Sequence, residues 1–209
     1  YIRVHRRLIF VRFGVTSEFK DGMRVTDEET MDVVRMVLLG KVNPDVVGLI
    51  NQAGGRAVGL SGVGGNLLRA RVMDPDLGRV GVPTRIDDGE LRLLTKGGFI
   101  PVIAPVGIDS EGRPLNINAD LAASAIAQHV IATKFMLMTD TDGVRDADGA
   151  PIGSLDRADA LQLIDDGVIA GGMIPKVNCA LEALDAGVSK VHIVDGRQAH
   201  ALLLEIFTD

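Results

Sequence analysis

Cysteine, aromatic residues and long apolar runs are all scarce in this chain of 209 residues, which has one cysteine, no tryptophan, one tyrosine and six phenylalanines. A lone thiol, Cys179, excludes an intrachain disulfide framework and fits a reducing compartment. No stretch reaches 18 consecutive apolar residues and no signal-peptide pattern opens the chain. The expectation is a soluble, cytoplasmic protein with no membrane partner. Basic runs are missing as well. With 22 Lys and Arg against 28 Asp and Glu, the net charge is −6, which argues against nucleic acid or an anionic membrane surface as a partner. Repeats, linkers and low-complexity segments are absent too.

What the chain does have is apolar content and a regular alternation of elements. At 46% hydrophobic residues it can bury a full core, as one large α/β domain over residues 1–209. Residues 1–15 are basic and apolar without clean periodicity. Within them Val11-Arg12-Phe13-Gly14 reads as a strand-turn, with a phosphate-binding turn as the weaker alternative. Thr26 to Glu29 reads as a capping box, with Met31, Val34, Val37 and Leu38 at helical spacing and Gly40 ending the helix. Asn43-Pro44 reads as the cap and first position of a second helix, running to about Gln52. Between 54 and 87, short β segments separated by glycines predict a hairpin-rich excursion. Gly62, Gly64 and Gly65 lie in it, but no Lys-Ser/Thr follows them, so they form no Walker A loop. A short helix over 90–96 leads into one apolar strand holding Ile100, Val102, Ile103 and Val106, bounded by Gly97-Gly98 and a turn over 109–114. Helices over 121–130, 156–163, 176–186 and 199–206 then alternate with strands over 134–139 and 190–194. This order predicts an α/β fold with a mostly parallel central sheet sandwiched between helices, plus a small β-hairpin excursion.

Four places carry polar chemistry. Asn116-Ile-Asn118-Ala-Asp120 sits where a strand, a loop and a helix start meet, which suits ligand groups but equally suits an ordinary N-cap. Arg24, beside a helix start, can clamp a carboxylate bidentately or stand solvated on the surface. Thr139-Asp140-Thr141-Asp142-Gly143-Val144 ends a buried strand, and either a turn or a nucleotide site explains it. Gly171-Gly172 at a helix N-terminus lets backbone amides approach a phosphate. Lys176 follows them in the first turn, the wrong end of the dipole for a cation, and so points to function.

Taken together, Asp21-Gly-Met-Arg-Val-Thr-Asp27, Asn116-Ile-Asn-Ala-Asp120, Gly171-Gly-Met-Ile-Pro-Lys176 and Asp195-Gly-Arg…His200…Phe207-Thr-Asp209 resemble the N-acetylglutamate kinases of the amino acid kinase family. Order and spacing agree from about Gly14 to Asp209. The resemblance implies an amino acid kinase-like fold, with residues 1–115 on the amino-acid substrate side and 116–209 on the nucleotide side. It implies transfer of a phosphoryl group from ATP, with Mg²⁺ bound on the nucleotide and no protein metal site, to the side-chain carboxylate of N-acetyl-L-glutamate in arginine biosynthesis. Arg24 then corresponds to the grip on the α-carboxylate, and Asn116 with Asn118 to the amide contact. Asp120 corresponds to the aspartate that orients catalytic lysines, and Lys176 to one such lysine. Thr139, Asp140, Gly143, Val144, Ile169 and Gly171 correspond to the nucleotide-holding segments. Because 195–209 resembles the form found in arginine-inhibited members, His200 and Glu205 become candidates for an L-arginine site, and a homo-oligomer (a dimer, or a hexamer of dimers) is expected.

Two family features are missing: a Lys-Tyr/Phe-Gly-Gly turn, and a triple glycine after Val4-His5, where Arg6-Arg7 stands instead. The expectation is that the chain is the ordered remainder of a longer polypeptide. A truncated, non-catalytic regulatory subunit that senses arginine is one alternative, and a related acyl-phosphate-forming kinase acting on an aminoadipate-type substrate is another.

Overall fold

The computed structural model describes residues 18–20 and 23–207. The predicted strand-turn at Val11–Gly14, Val4-His5, Asp21-Gly22 and the closing Thr208-Asp209 lie outside them. The chain forms two compact units, Tyr1–Ala123 and Ser124–Asp209. Their division falls three residues past the Asn116–Asp120 motif.

In the first unit, a short antiparallel pair, β1 (Phe19–Lys20) and β2 (Met23–Arg24), precedes helix α1 (Glu28–Val37). The cap of α1 is Asp27, whose carboxylate accepts from the Thr30 N–H at 2.7 Å, not Thr26. The capping box fails because the Thr26 side chain is fully buried and its hydroxyl is engaged elsewhere. Nor does Gly40 end the helix. The backbone passes through a π-helical turn, Leu38–Val42, straight into α2 (Asn43–Gln52).

Asn43 has helical φ/ψ and is therefore no N-cap. Its side-chain amide donates to the Leu60 carbonyl at 3.3 Å and the Val102 carbonyl at 2.7 Å. Those carbonyls belong to β3 (Ala57–Ser61) and β6 (Ile100–Ala104), a parallel pair in register from Ala57↔Ile100 to Ser61↔Ala104. A buried amide reaching both strands ties α2 to the sheet. Beside it Gly59 has no room for a side chain, since a Cβ there would overlap the Asn43 amide oxygen.

The glycine-punctuated excursion is present as β4 (Leu68–Val72) and β5 (Val80–Ile86), antiparallel with a bulge after Arg69, followed by α3 (Gly89–Lys96). Its strands close into a small barrel, in the order β4-β5-β8-β7, with β7 (Val106–Ile108) and β8 (Pro114–Ile117). The single apolar strand expected through Val106 is therefore two strands. Pro105, which has no N–H to give a ladder, separates them, and Val106 belongs to the barrel. Met31, Val33, Val34, Val37 and Leu38 from the helix cluster with Ala104 and Val106 to form the core.

Helix α4 (Ala119–His129) carries the chain across the division. In the second unit, β9 (Lys134–Thr139) and β10 (Lys190–Asp195) run parallel, with Lys134↔Lys190 through Thr139↔Asp195 in register. Helices α5 (Arg157–Asp165), α6 (Met173–Asp185) and α7 (Ala201–Phe207) complete it. Asp156 caps α5 as expected, through the Asp159 N–H. Helix α6 starts three residues before the expected Lys176, with Pro175 in its first turn, where a missing N–H costs nothing. Val144, Ala160, Ile169, Val177 and Leu181 form this unit's core. Among the described residues, no helix is long and apolar enough to cross a membrane.

Candidate functional site

The polar groups of the first unit converge on one residue the sequence reading used only as a cap. Thr26 donates its hydroxyl proton to the Arg24 carbonyl at 2.8 Å and accepts from the Asn116 side-chain amide at 3.1 Å. Its N–H donates to Leu77 O at 3.0 Å, and its carbonyl accepts from Arg79 N–H at 2.6 Å. Asn116 N–H donates in turn to the Arg79 carbonyl at 2.8 Å. Arg24, Thr26 and Asn116, up to 92 residues apart in the chain (116 − 24), are thereby one hydrogen-bonded unit.

The two asparagines separate here. Asn118 is the cap: its Oδ1 accepts from the Asp120 N–H at 2.8 Å and the Leu121 N–H at 3.4 Å, and its amide approaches Met23 Sδ at 3.9 Å. Asn116 caps nothing and stands in β8, buried. The local pattern left capping and ligand binding even; Asn118 took the cap, and Asn116 is spared for another role. Asp120 lies in the first turn of α4, where a carboxylate complements the helix dipole.

In the second unit a cavity of about 400 Å³ opens past the carboxyl ends of β9 and β10, where open α/β sheets bind ligands. Val144, Val168, Ile169 and Met173 supply apolar wall, while Asp142, Arg145 and Arg197 supply charge. Of the expected nucleotide-holding residues, Gly143, Val144 and Ile169 line it. Thr139 and Asp140 stand just before it on the strand end, and Gly171 just after its wall. Thr139 and Thr141 share a hydroxyl hydrogen bond of 3.3 Å, and the Gly196 N–H donates to the Thr139 carbonyl at 2.8 Å, closing the two strand ends together.

Two guanidinium forks edge this cavity. Arg145 binds Asp142 at 2.8 and 2.9 Å, and Arg197 binds Asp195 at 2.8 and 2.9 Å. Hydrogen bonding to Arg197 pulls the Asp195 carboxyl down to about 2, and Arg145 lowers Asp142 in the same way. Both carboxylates are thus held ionised and both guanidiniums oriented. Neither arginine was singled out from sequence. The signal available was their position, directly after polar strand ends.

Helix α6 begins at Gly171-Gly172, with Gly171 at a φ of 56°, a conformation glycine adopts without cost. No side chain caps it, so its first-turn amides carry the positive end of the dipole, and Lys176 adds charge one turn along. At the other end of the unit, His200 is exposed ahead of α7. Glu205 pairs with His192 Nδ1 at 2.6 Å, and the Lys134 ammonium donates to the Glu205 carbonyl at 2.8 Å. His192 was missed because its strand register hides it among β-formers. Its Nε2 is buried without a partner among the described residues. Among those residues, no cluster of three or more His, Cys, Asp or Glu is grouped to hold a metal.

Residues 2–195 match the amino acid kinase family. Over 210 residues the chain is 53% identical to the acetylglutamate kinase of Geotalea uraniireducens, covering 95% of this chain and 72% of that one. It is 50% identical to the acetylglutamate kinase of Oleidesulfovibrio alaskensis, covering 95% and 71%. It also resembles the N-acetylglutamate synthase of Neisseria gonorrhoeae. In that enzyme's complex with coenzyme A and N-acetyl-glutamate, the identity is 27% and the TM-score 0.85, over 99% of this chain and 48% of that one. With coenzyme A and L-arginine bound, the figures are 26% and 0.76, over 99% and 49%. The motif order, the α/β architecture and these likenesses agree: the chain belongs to the amino acid kinase family.

Proposed function

We propose that this chain phosphorylates the side-chain carboxylate of N-acetyl-L-glutamate with ATP, giving N-acetyl-L-glutamyl 5-phosphate and ADP. The observation that carries the reading is identity of 50–53% to acetylglutamate kinases across 95% of the chain. The reaction asks for no general base, because the acceptor carboxylate is ionised at neutral pH. An acceptor oxygen forms a bond to the γ-phosphorus as the bond to the β,γ-bridging oxygen breaks. The protein's task is to align the two and neutralise charge on the equatorial oxygens.

In this reading Arg24 grips the α-carboxylate and Asn116 meets the acetamido group, while Asn118 serves as helix cap. The cavity at Gly143, Val144 and Ile169 takes the nucleoside. Its volume lies in the range of about 300–1,000 Å³ usual for such ligands. Lys176 and the first-turn amides of α6 neutralise the transferring phosphoryl group, and Asp120 is the carboxylate to which the family resemblance gives the orienting role. Mg²⁺, entering on the nucleotide's phosphates, would neutralise further charge there.

Trapping the acyl phosphate as its hydroxamate tests the reading. Wild type with N-acetyl-L-glutamate and Mg-ATP gives signal, and Lys176→Ala loses about 10²–10³-fold, as for removal of one charge-stabilising donor. No hydroxamate from protein that still binds N-acetylglutamate would favour the regulatory alternative, and signal only with an aminoadipate derivative the other kinase. The same reading includes a homo-oligomer and L-arginine as effector at the α7 end. It is supported there by the His192–Glu205 pair and by exposed Leu203, Leu204, Ile206 and Phe207 on α7. Calorimetry with millimolar L-arginine gives heat if this holds and none if it does not.

A further inference from the structure

We propose that Thr26 is the positioning residue of the acceptor site, its single hydroxyl fixing which way round the Asn116 carboxamide stands. The inference rests on the reading of Arg24 and Asn116 as acceptor-binding residues, and goes beyond it by naming what orients them.

A threonine hydroxyl has one proton and two lone pairs. Here the proton goes to the Arg24 carbonyl, which cannot donate anything back. Only lone pairs remain to face Asn116, so the carboxamide must present its NH₂ end, at 3.1 Å. A flipped amide would set its oxygen against the hydroxyl oxygen with no hydrogen between them. Water offers no remedy, because Thr26 is 0% exposed and Asn116 only 8%. The backbone holds the pair in place: the Arg79 N–H donates to Thr26 O, and the Arg79 carbonyl accepts from Asn116 N–H. The side-chain bond therefore closes a ring whose other arcs are main chain.

The consequence is chemical. With one amide proton committed to Thr26, the remaining N–H and the Oδ1 of Asn116 have fixed identities. A secondary amide such as an acetamido group has one donor and one acceptor in fixed relation. A carboxamide that could flip would match it in one orientation and oppose donor to donor in the other. The same hydroxyl anchors the carbonyl of Arg24, so both binding side chains spring from points set by one residue.

Steady-state kinetics on the full chain test this with Thr26→Val, Thr26→Ser and Asn116→Ala. Loss of one buried hydrogen bond predicts that Thr26→Val raises KM for N-acetyl-L-glutamate about 5–20-fold. KM for ATP stays within about twofold, and Thr26→Ser returns KM for the acceptor to near wild type. In the Asn116→Ala background, Thr26→Val adds less than it does in wild type, because the bond to Asn116 is already gone and only the Arg24 carbonyl is still released. Thr26→Val at wild-type KM, with Asn116→Ala impaired, overturns the role of Thr26 and leaves the acceptor-site reading standing. Asn116→Ala at wild-type KM overturns that reading and the proposal with it. Should Thr26→Val fail to fold, side-chain amide exchange in wild type decides. The Asn116 NH₂ protons, identified by their loss in Asn116→Ala, exchange slowly if the bond holds. Exchange as fast as a solvated carboxamide's overturns it.

Discussion

Gly78→Ala puts the strap behind the proposed acceptor site under the most direct strain. Gly78 has φ 67° and ψ −119°, a region almost reserved for glycine, and its parallel bridge to Thr26 brings the backbones together. A Cβ at this position would overlap the Thr26 carbonyl oxygen, the acceptor of the 2.6 Å bond from Arg79. Holding an alanine in that region costs about 1–3 kcal/mol, and losing the strap hydrogen bond costs about 1 kcal/mol more. The total is about 2–4 kcal/mol. With a urea dependence of about 2 kcal/mol/M, the unfolding midpoint falls by about 1–2 M. Relief of the overlap requires the Thr26 carbonyl to move, and the hydroxyl that holds Asn116 moves with it. KM for N-acetyl-L-glutamate should therefore rise in the folded mutant while KM for ATP does not. Equilibrium urea titration and two-substrate kinetics measure both. A midpoint and an acceptor KM equal to wild type would refute the strap argument.

Three other outcomes follow from the same geometry. Asn43→Ala leaves the Leu60 and Val102 carbonyls without their side-chain donor and should cost about 2–3 kcal/mol in urea unfolding; a change below about 0.5 kcal/mol would mean that the amide does not tie helix to sheet. Ala170→Trp, on the cavity wall, should raise KM for ATP at least about tenfold and leave acceptor KM alone; unchanged ATP kinetics would put the nucleoside elsewhere. Asp195 is held at about 2 against an ordinary 3.8, so its pairing favours the folded state above pH 3.8 and fades as pH falls toward 2. The stability difference between wild type and Asp195→Asn, measured by urea titration across pH 2–7, should thus be constant in the upper range and vanish at the acid end, and a difference that grows on acidification would contradict the pairing.

What could be read from sequence was whatever depends on residues close together in the chain. Strand Lys134–Thr139 was bounded correctly because the apolar residues Phe135 to Met138 run unbroken to a polar end. The Asp156 cap was found because its partner is three residues away. Gly143, Val144 and Ile169, which line the cavity, came from the family resemblance, since local pattern left a turn and a nucleotide site equal at the first two. The two capping errors share a cause. Thr26 and Asn43 both have good capping chemistry, and both spend it on distant partners, Asn116 at 90 residues and Val102 at 59. Local competition for a helix end is worth about 1 kcal/mol, less than the cost of leaving a buried strand carbonyl or carboxamide unmet. Tertiary demand therefore wins wherever the candidate cap is buried. Asp27, Asp156 and Asn118, which do cap, have their partners within three residues, so no distant group competes for them.

The same contest explains why Asn116 and Asn118, two residues apart, took different fates. Strand alternation turns residues i and i+2 to the same face, but β8 ends at Ile117, and the chain turns into α4 at Asn118. Asn118 therefore stands beside free helix amides and is consumed by them. Asn116 stays in the barrel wall, where its side-chain amide meets the hydroxyl of Thr26. A one-residue extension of β8 would have turned Asn118 to the same face as Asn116. Which carboxamide is spared from capping is decided by where the strand stops, and the strand stops where the helix amides need a cap.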